Sequence, residues 1–284
     1  MNQNAHILIQ LLNPLHRTQV VDIGANPIDG TPPYAPLMQA DIADITGFEP
    51  QEDAFANLQK MKGSHETYLP YAVGDGKEHT LHICVSSGMT SILKPDATTL
   101  SHFEILKQAG EVESTERIKT KKLDSIKEIQ HIDLLKIDIQ GFELEVFRNG
   151  KQKLHDAVAI QTEISFTCLY EKQPSFGDID TELRAQGYIP HCFPAVKNWM
   201  ISPLVVNNDP RQPLNHLLEA DIVYVRDFIH PDKMSDEQLK QLALISHFCY
   251  SSFDLTLRCL TLLEARTAVE NTAGQQYLNS LASQ

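Results

Sequence analysis

Positive charge is in short supply. Lys and Arg total 24 against 37 Asp and Glu, a formal net charge of −13. The basic cluster over 117–122 is broken by Ile118 and Thr120, so no continuous cationic stripe exists to track a phosphate backbone, and nucleic acid is not an expected partner. The stretch reads instead as a strand leading into a helix. Cysteine is scarce as well: Cys84, Cys168, Cys192, Cys249 and Cys259 are odd in number, widely spaced and contain no Cys-x-x-Cys pair. That argues against a disulfide framework or a zinc knuckle and fits reduced thiols in a cytoplasm. Long apolar runs are missing too. The patch over 7–12 is short and follows no cationic segment, so neither membrane insertion nor secretion is expected.

What is present is an alternation of short apolar runs and amphipathic segments in a chain of 284 residues, enough for a sizeable core. Residues 19–23 (Gln-Val-Val-Asp-Ile) read as a buried parallel strand running into a tight turn at Gly24. A Pro- and Gly-rich loop and a short helical segment over 37–42 lead to a second strand, 44–48, which stops at Glu49-Pro50. Phe55, Leu58 and Met61 share one face of a helix over 52–61, and 67–73 reads as a third strand ended by Gly74-Asp75. This β-α-β-α-β order predicts a parallel, doubly wound sheet with ligands beyond the carboxyl ends of its strands.

Residues 79–85 alternate like a strand of an antiparallel addition, and the polar stretch 88–116 reads as a flexible surface segment. The sheet then resumes with strands over 133–137 and 157–162, helices over 142–148 and 179–186, and last strands over 188–193 and 221–225. After Pro231 the character changes: Ser235-Asp236-Glu237 resembles a helix start, and Leu239, Leu242, Ile245, Leu257, Leu260 and Leu263 form apolar stripes. Residues 1–232 are therefore expected to form the Rossmann-like domain, and 233–284 a helical tail. Its stripes must pack on that domain or on a second copy in a homodimer.

A glycine after the first strand lets the backbone approach a cofactor, and an acidic residue ending the second strand can accept hydrogen bonds from both ribose hydroxyls. Gly24 and Glu49 stand in that relation, 25 residues apart, near the ~20 typical of dinucleotide folds. The Gly-x-Gly-x-x-Gly that would seat a pyrophosphate is absent, since the stretch reads Gly24-Ala-Asn-Pro-Ile-Asp29. S-adenosylmethionine has no phosphate, and its amino and carboxylate groups suit polar loop residues such as Asp22 and Asn26. A nicotinamide-dependent oxidoreductase is correspondingly disfavoured.

Four ordered blocks, Asp22-Ile-Gly-Ala-Asn26, Gly47-Phe-Glu49-Pro50, Ala72-Val-Gly-Asp75 and Leu135-Lys-Ile-Asp138-Ile-Gln-Gly141-Phe-Glu143-Leu-Glu145, resemble the successive signatures of the FkbM-type methyltransferases. The resemblance spans about residues 19 to 227. It implies the class I methyltransferase fold, an α/β Rossmann-like sheet that is mostly parallel with an antiparallel last strand. It also implies S-adenosylmethionine as cofactor and O-methylation of a hydroxyl on a small-molecule or glycan acceptor. By the same resemblance Glu49 holds the ribose, Asp75 lies near the adenine amino group, and Asp138 with Lys136 faces the transferred methyl.

Two departures stand out. Pro27-Ile28-Asp29-Gly30 replaces a small residue and a glycine, and Pro27 removes a backbone donor, so the loop is expected to bind through Asn26 with Asp29 or Thr31. Gln140 stands where the family usually has Glu, which removes an acid/base group or metal ligand and weakens any metal-dependent mechanism. An alcohol nucleophile must lose a proton, and Asp138 is the first candidate base, with Glu163 and His191 as alternatives. Each has a plain structural counterpart: Lys136 pairing with Asp138, Asp75 serving a turn, Glu163 or His191 simply ending a strand. Ser91 is either a site residue or a turn residue, and Trp199 and Met200 either face a sugar ring or belong to the core. A catalytically silent scaffold that keeps the cofactor fold is the alternative to an enzyme.

Overall fold

The computed structural model describes residues 3–26 and 30–282. In chain order it contains α1 (Gln3–Leu12), β1 (Thr18–Ile23), α2 (Ala35–Gln39), β2 (Ala43–Phe48), α3 (Glu52–Met61), β3 (Glu66–Leu69), β4 (Ala72–Gly74) and β5 (Glu78–Cys84). There follow α4 (Ala97–Leu100), α5 (Glu104–Ala109), β6 (Val112–Lys122), β7 (Leu134–Ile137), α6 (Glu143–Arg148), α7 (Lys151–Leu154), β8 (Ala159–Ser165) and α8 (Phe176–Ala185). The last elements are β9 (Tyr188–Trp199), β10 (His216–Arg226), α9 (Asp236–Tyr250), α10 (Phe253–Ala265) and α11 (Ala273–Ala282). Pro27, Ile28 and Asp29, on which the loop expectation turned, lie outside the described residues.

Apolar residues at consecutive strand positions dictate a sheet covered on both faces. Seven strands run in the order β3-β2-β1-β7-β8-β10-β9. The first five are mutually parallel, and β10 is antiparallel to both β8 and β9. This is the mostly parallel class I arrangement with its antiparallel final strand. Val20 and Leu134 face one side, where they join Leu8, Leu12, Leu37 and the stripes of α9 to α11 in one hydrophobic cluster. Val21 and Leu135 face the other, against Leu144 and Phe147 of α6 and Ile179 and Leu183 of α8. The tail helices therefore bury their apolar stripes on the sheet of their own chain. The capping box at Ser235 and Gln238 starts α9 where the sequence placed its signal.

Two expectations change. The third strand is not continuous through 67–73: Pro70 has no N–H to give a ladder, so β3 ends at Leu69 on the main sheet and β4 starts at Ala72 in a second sheet of order β4-β6-β5. Nor is 88–116 a structureless surface segment. It contains α4, α5 and the start of β6, held by a cluster of Cys84, Met89, Leu100, Phe103 and Leu106 with Leu169, Tyr170 and Leu218. Its apolar residues are too sparse in sequence to show a period, yet they converge on the far end of the sheet as a roof.

Candidate active site

Parallel strands that end together leave a crevice at their carboxyl edge. Here β1 ends before Gly24, β2 before Glu49 and β7 before Asp138, and the three ends are latched by backbone bonds. Gly24 N and Ala25 N donate to Phe48 O at 3.1 Å, and Asp138 N donates to Ile23 O at 3.0 Å. Gly24 has φ of +82°, and an added Cβ would lie 2.0 Å from Asp138 O. Only glycine fits this crossing.

Above these ends lies a cavity of about 770 Å³. Gly24, Asn26, Phe48, Glu49, Tyr71 and Val73 line it together with Lys136, Asp138, Gln140, Glu163, Lys197 and Glu219. The roof contributes Ser87, Met89, Ser91, Ile105 and Leu106, with Trp199 at the wall. A second cavity of about 700 Å³ lies beside Asp22, Tyr34 and Tyr68, and shares Asn26, Lys136, Asp138 and Lys197 with the first.

Glu49 is 3 % exposed; its Oε1 accepts from Gln51 N at 2.7 Å, and burial pushes its carboxyl above the ordinary range despite that bond. Asp22 is also buried, and burial raises it against the pull of Lys136 and the hydrogen bond from Tyr34, whose hydroxyl donates to Oδ2 at 2.6 Å. Lys136 reaches across to the paired residue of β1. Its Nζ lies 3.4 Å from Asp22 Oδ1 and donates to Gly24 O at 3.3 Å, so the ammonium secures the Gly24 turn.

The densest charge lies at the cavity floor. Gln140 Nε2 donates to Asp138 Oδ1 at 2.8 Å and to Glu163 Oε2 at 3.0 Å. Tyr170 supplies its hydroxyl to Gln140 Oε1 at 3.0 Å, which fixes the amide so that its nitrogen faces the carboxylates. Lys197 Nζ lies 2.7 Å from Glu163 Oε1 and 3.6 Å from Glu219 Oε2. Burial, then the charges of Asp138 and Glu219, push the Glu163 carboxyl well up; Lys197 and its hydrogen bond offset only part of this. Gln140 sits in the left-handed region with φ of 58°, followed by Gly141 at φ 100°. Such a residue costs on the order of 1–3 kcal/mol and persists only where its surroundings hold it. Ser91 helps hold it, donating from Oγ to Gln140 O at 2.7 Å. Glu143 Oε1 accepts the N–H groups of Ile139 and Gly141 at 2.9 and 3.1 Å.

The structure brings Gly24, Asn26, Glu49, Lys136, Asp138 and Glu163 to one cavity, and places Asp22 directly behind it. Two predicted residues lie apart. Asp75 lines a different, smaller pocket, where burial is outweighed by bonds from His79 Nε2 at 2.7 Å and Lys77 N at 3.0 Å, so its carboxyl falls below the ordinary range. His191 lines neither large cavity; its Nε2 lies 2.7 Å from Ser252 Oγ, and burial lowers its proton affinity. Met200 is buried in the core, whereas Trp199 lines the cavity and meets Phe103 edge-on at 6.4 Å.

Lys197, Glu219 and Tyr170 escaped the sequence reading. Glu219 interrupts an apolar run, which was the available signal, but its alignment with Lys197 depends on strand register. Tyr170 reaches the floor from a loop and leaves no pattern.

Residues 22–190 match the family described as the methyltransferase FkbM domain. The chain belongs to the FkbM methyltransferase family. S-adenosylmethionine is the methyl donor of that family, and the residues present suit it: a buried carboxylate at Glu49, an apolar wall of Phe48, Tyr71 and Val73, and a glycine crossing at Gly24. Among solved structures, the FkbM protein is similar to the magnesium protoporphyrin IX methyltransferase of Synechocystis, solved with bound S-adenosylmethionine, at 12% identity and a TM-score of 0.40, covering 80% of this chain and 79% of that one. It is also similar to a precorrin-6y C5,15-methyltransferase of Geobacter metallireducens at 10% identity and a TM-score of 0.37, covering 78% and 87%. No curated protein matches the sequence. No helix among the described residues is long and apolar enough to cross a membrane.

Proposed function

We propose that this methyltransferase O-methylates a hydroxyl of a sugar, glycan or secondary metabolite. One observation carries the reading: a single cavity is lined by the Gly24 crossing and Glu49 together with the Asp138 and Glu163 carboxylates. When bound, S-adenosylmethionine supplies a methyl group activated on a sulfonium. Glu49 accepts hydrogen bonds from the ribose hydroxyls, and Asn26 and the turn at Gly24 receive the methionine end. Asp138, held through Oδ1 by Gln140, takes the hydroxyl proton of the acceptor, while Lys136 is a positioning residue for the loop. Positioning supplies most of the rate, since methyl transfer is an in-line displacement.

Calorimetry of the purified protein with S-adenosylmethionine tests the cofactor half. A carboxylate–hydroxyl hydrogen bond is worth roughly 1.5–3 kcal/mol, so Glu49→Ala is expected to weaken binding at least about tenfold. No binding by the wild type, or no difference in Glu49→Ala, defeats the proposal. A screen of hydroxylated acceptors with methyl-labelled donor tests the other half. Because Gln140 already occupies Asp138 Oδ1, a silent cofactor-binding scaffold is the competing reading, and it predicts binding with no labelled product.

A further inference from the structure

We propose that His16, His131 and Asp133 bind one divalent transition-metal ion of the zinc class at the edge of the sheet opposite the cavity. Among the described residues they are the one group of three His, Cys, Asp or Glu side chains whose ligand atoms all lie within 4.8 Å of one another. His16 Nε2 lies 3.1 Å from Asp133 Oδ2, and His131 Nε2 lies 2.8 Å from Asp133 Oδ1. Zinc bonds of ~2.0–2.1 Å in tetrahedral array separate neighbouring ligand atoms by about 3.3 Å, so a small outward shift of the rings makes room for the ion. Two imidazoles and one carboxylate suit zinc, cobalt or nickel rather than magnesium or calcium, which prefer oxygen.

The ligands are set on rigid chain with an open approach. Asp133 is 1 % exposed and is pinned to Gln19 by two bonds, its N donating to Gln19 O at 2.8 Å and its Oδ2 accepting from Gln19 N at 2.7 Å. Both imidazoles are 34 % exposed, which leaves a path for the ion and a fourth position for water. The ring of His16 also has an outer carboxylate: Glu237 Oε1 lies 3.5 Å from Nδ1. A proton held there leaves Nε2 with its lone pair toward the ion, the usual arrangement around metal-bound histidine. Glu237 is itself fixed, accepting from Leu15 N and Gln241 Nε2 at 3.0 Å each. An ion in this place would tie the segment before β1, the segment before β7 and the first turn of α9 together.

Protein stripped with a chelator is titrated with Co²⁺ and followed by its visible d–d absorption, and thermal unfolding is recorded with and without Zn²⁺. The expected result is saturation at one equivalent and a raised Tm, both lost in His16→Gln and His131→Gln. Glu237→Gln is expected to bind about tenfold more weakly. Absence of the absorption and of any Tm shift in the wild type, or an undiminished response in the histidine variants, overturns the proposal and leaves a hydrogen-bonded His–Asp–His clasp. If a variant does not fold, histidine-selective NMR on the unsubstituted protein decides. Zn²⁺ is expected to move the ring signals of His16 and His131 among the 12 histidines, and movement of others instead overturns the assignment.

Discussion

Gln140 donates to Asp138 Oδ1 at 2.8 Å, and the same amide nitrogen reaches the neighbouring Glu163. A neutral donor thus stands between two carboxylates. In Gln140→Glu the donor becomes a like charge, and like charges at this range raise carboxyl pKa values by a unit or more. The rising limb of the pH–rate profile is expected to move to higher pH, because the Glu163 carboxyl, which burial already holds well up, is raised further. An unmoved profile would show that Glu163 does not control the rate.

Asp138 and Glu163 are separable by substitution. If Asp138 is the base, Asp138→Asn lowers kcat by about 10²–10⁴-fold and leaves S-adenosylmethionine affinity within severalfold of wild type. Glu163→Gln, which keeps an acceptor for Lys197, is expected to cost about tenfold or less. The reverse ranking in steady-state assays would move the base to Glu163.

The Gly24 crossing is a stability prediction. Gly24→Ala forces a Cβ against the Asp138 carbonyl at a positive φ, and overpacking of this kind costs about 1–3 kcal/mol before the backbone term is added. A lower midpoint in denaturant and loss of cofactor binding are expected together. A variant as stable as wild type would mean that the β1 and β7 ends are not in this contact.

Glu143 supplies a pH dependence. Burial, the largest influence, raises its carboxyl to about 7, against the pull of three backbone N–H groups. The folded state therefore holds a proton that the unfolded chain releases near pH 4.5, and stability falls as pH rises from there through 7. The contribution is complete below pH 4.5 and gone above 7. Glu143→Gln can keep the acceptor for Ile139 and Gly141 without the charge, and is expected to flatten this slope, gaining roughly 2–3 kcal/mol at pH 8 relative to wild type. Urea unfolding at pH 5 and pH 8 checks it.

The sheet and its strand ends were legible because each core strand is a short apolar run closed by a residue with a reason to be there. Gly24 marks a close crossing, and Glu49 and Asp138 are acids just past the last strand residue. The break at Pro70 was also written in the sequence, yet the alternation around it suggested one strand, because a lost ladder bond matters only once a second sheet stands ready to take Ala72–Gly74. The roof over 88–109 could not be read. Met89, Leu100, Phe103 and Leu106 pack with Leu169 and Leu218, and contacts between segments so far apart leave no period. The same holds for Lys197 and Glu219, whose pairing is a property of register, and for His191, which lies inside β9 rather than at a strand end and meets Ser252.

The region that matches the family, 22–190, stops well short of the elements that close its own core. Leu8 and Leu12 of α1 and Leu242, Leu260 and Leu263 of α9 and α10 cover the face of the sheet that carries Val20, Leu134 and Val223. A fragment trimmed to the matching region would lose Val20 and Val223 and present the rest of that face, Ile45, Leu134 and Val158 among it, to water as an apolar patch prone to aggregate. Similarity in sequence and autonomy in folding therefore have different borders in this protein. A chimera that exchanges its catalytic strands with a relative's must carry α1 and α9 to α11 along, or redesign the strand faces they cover.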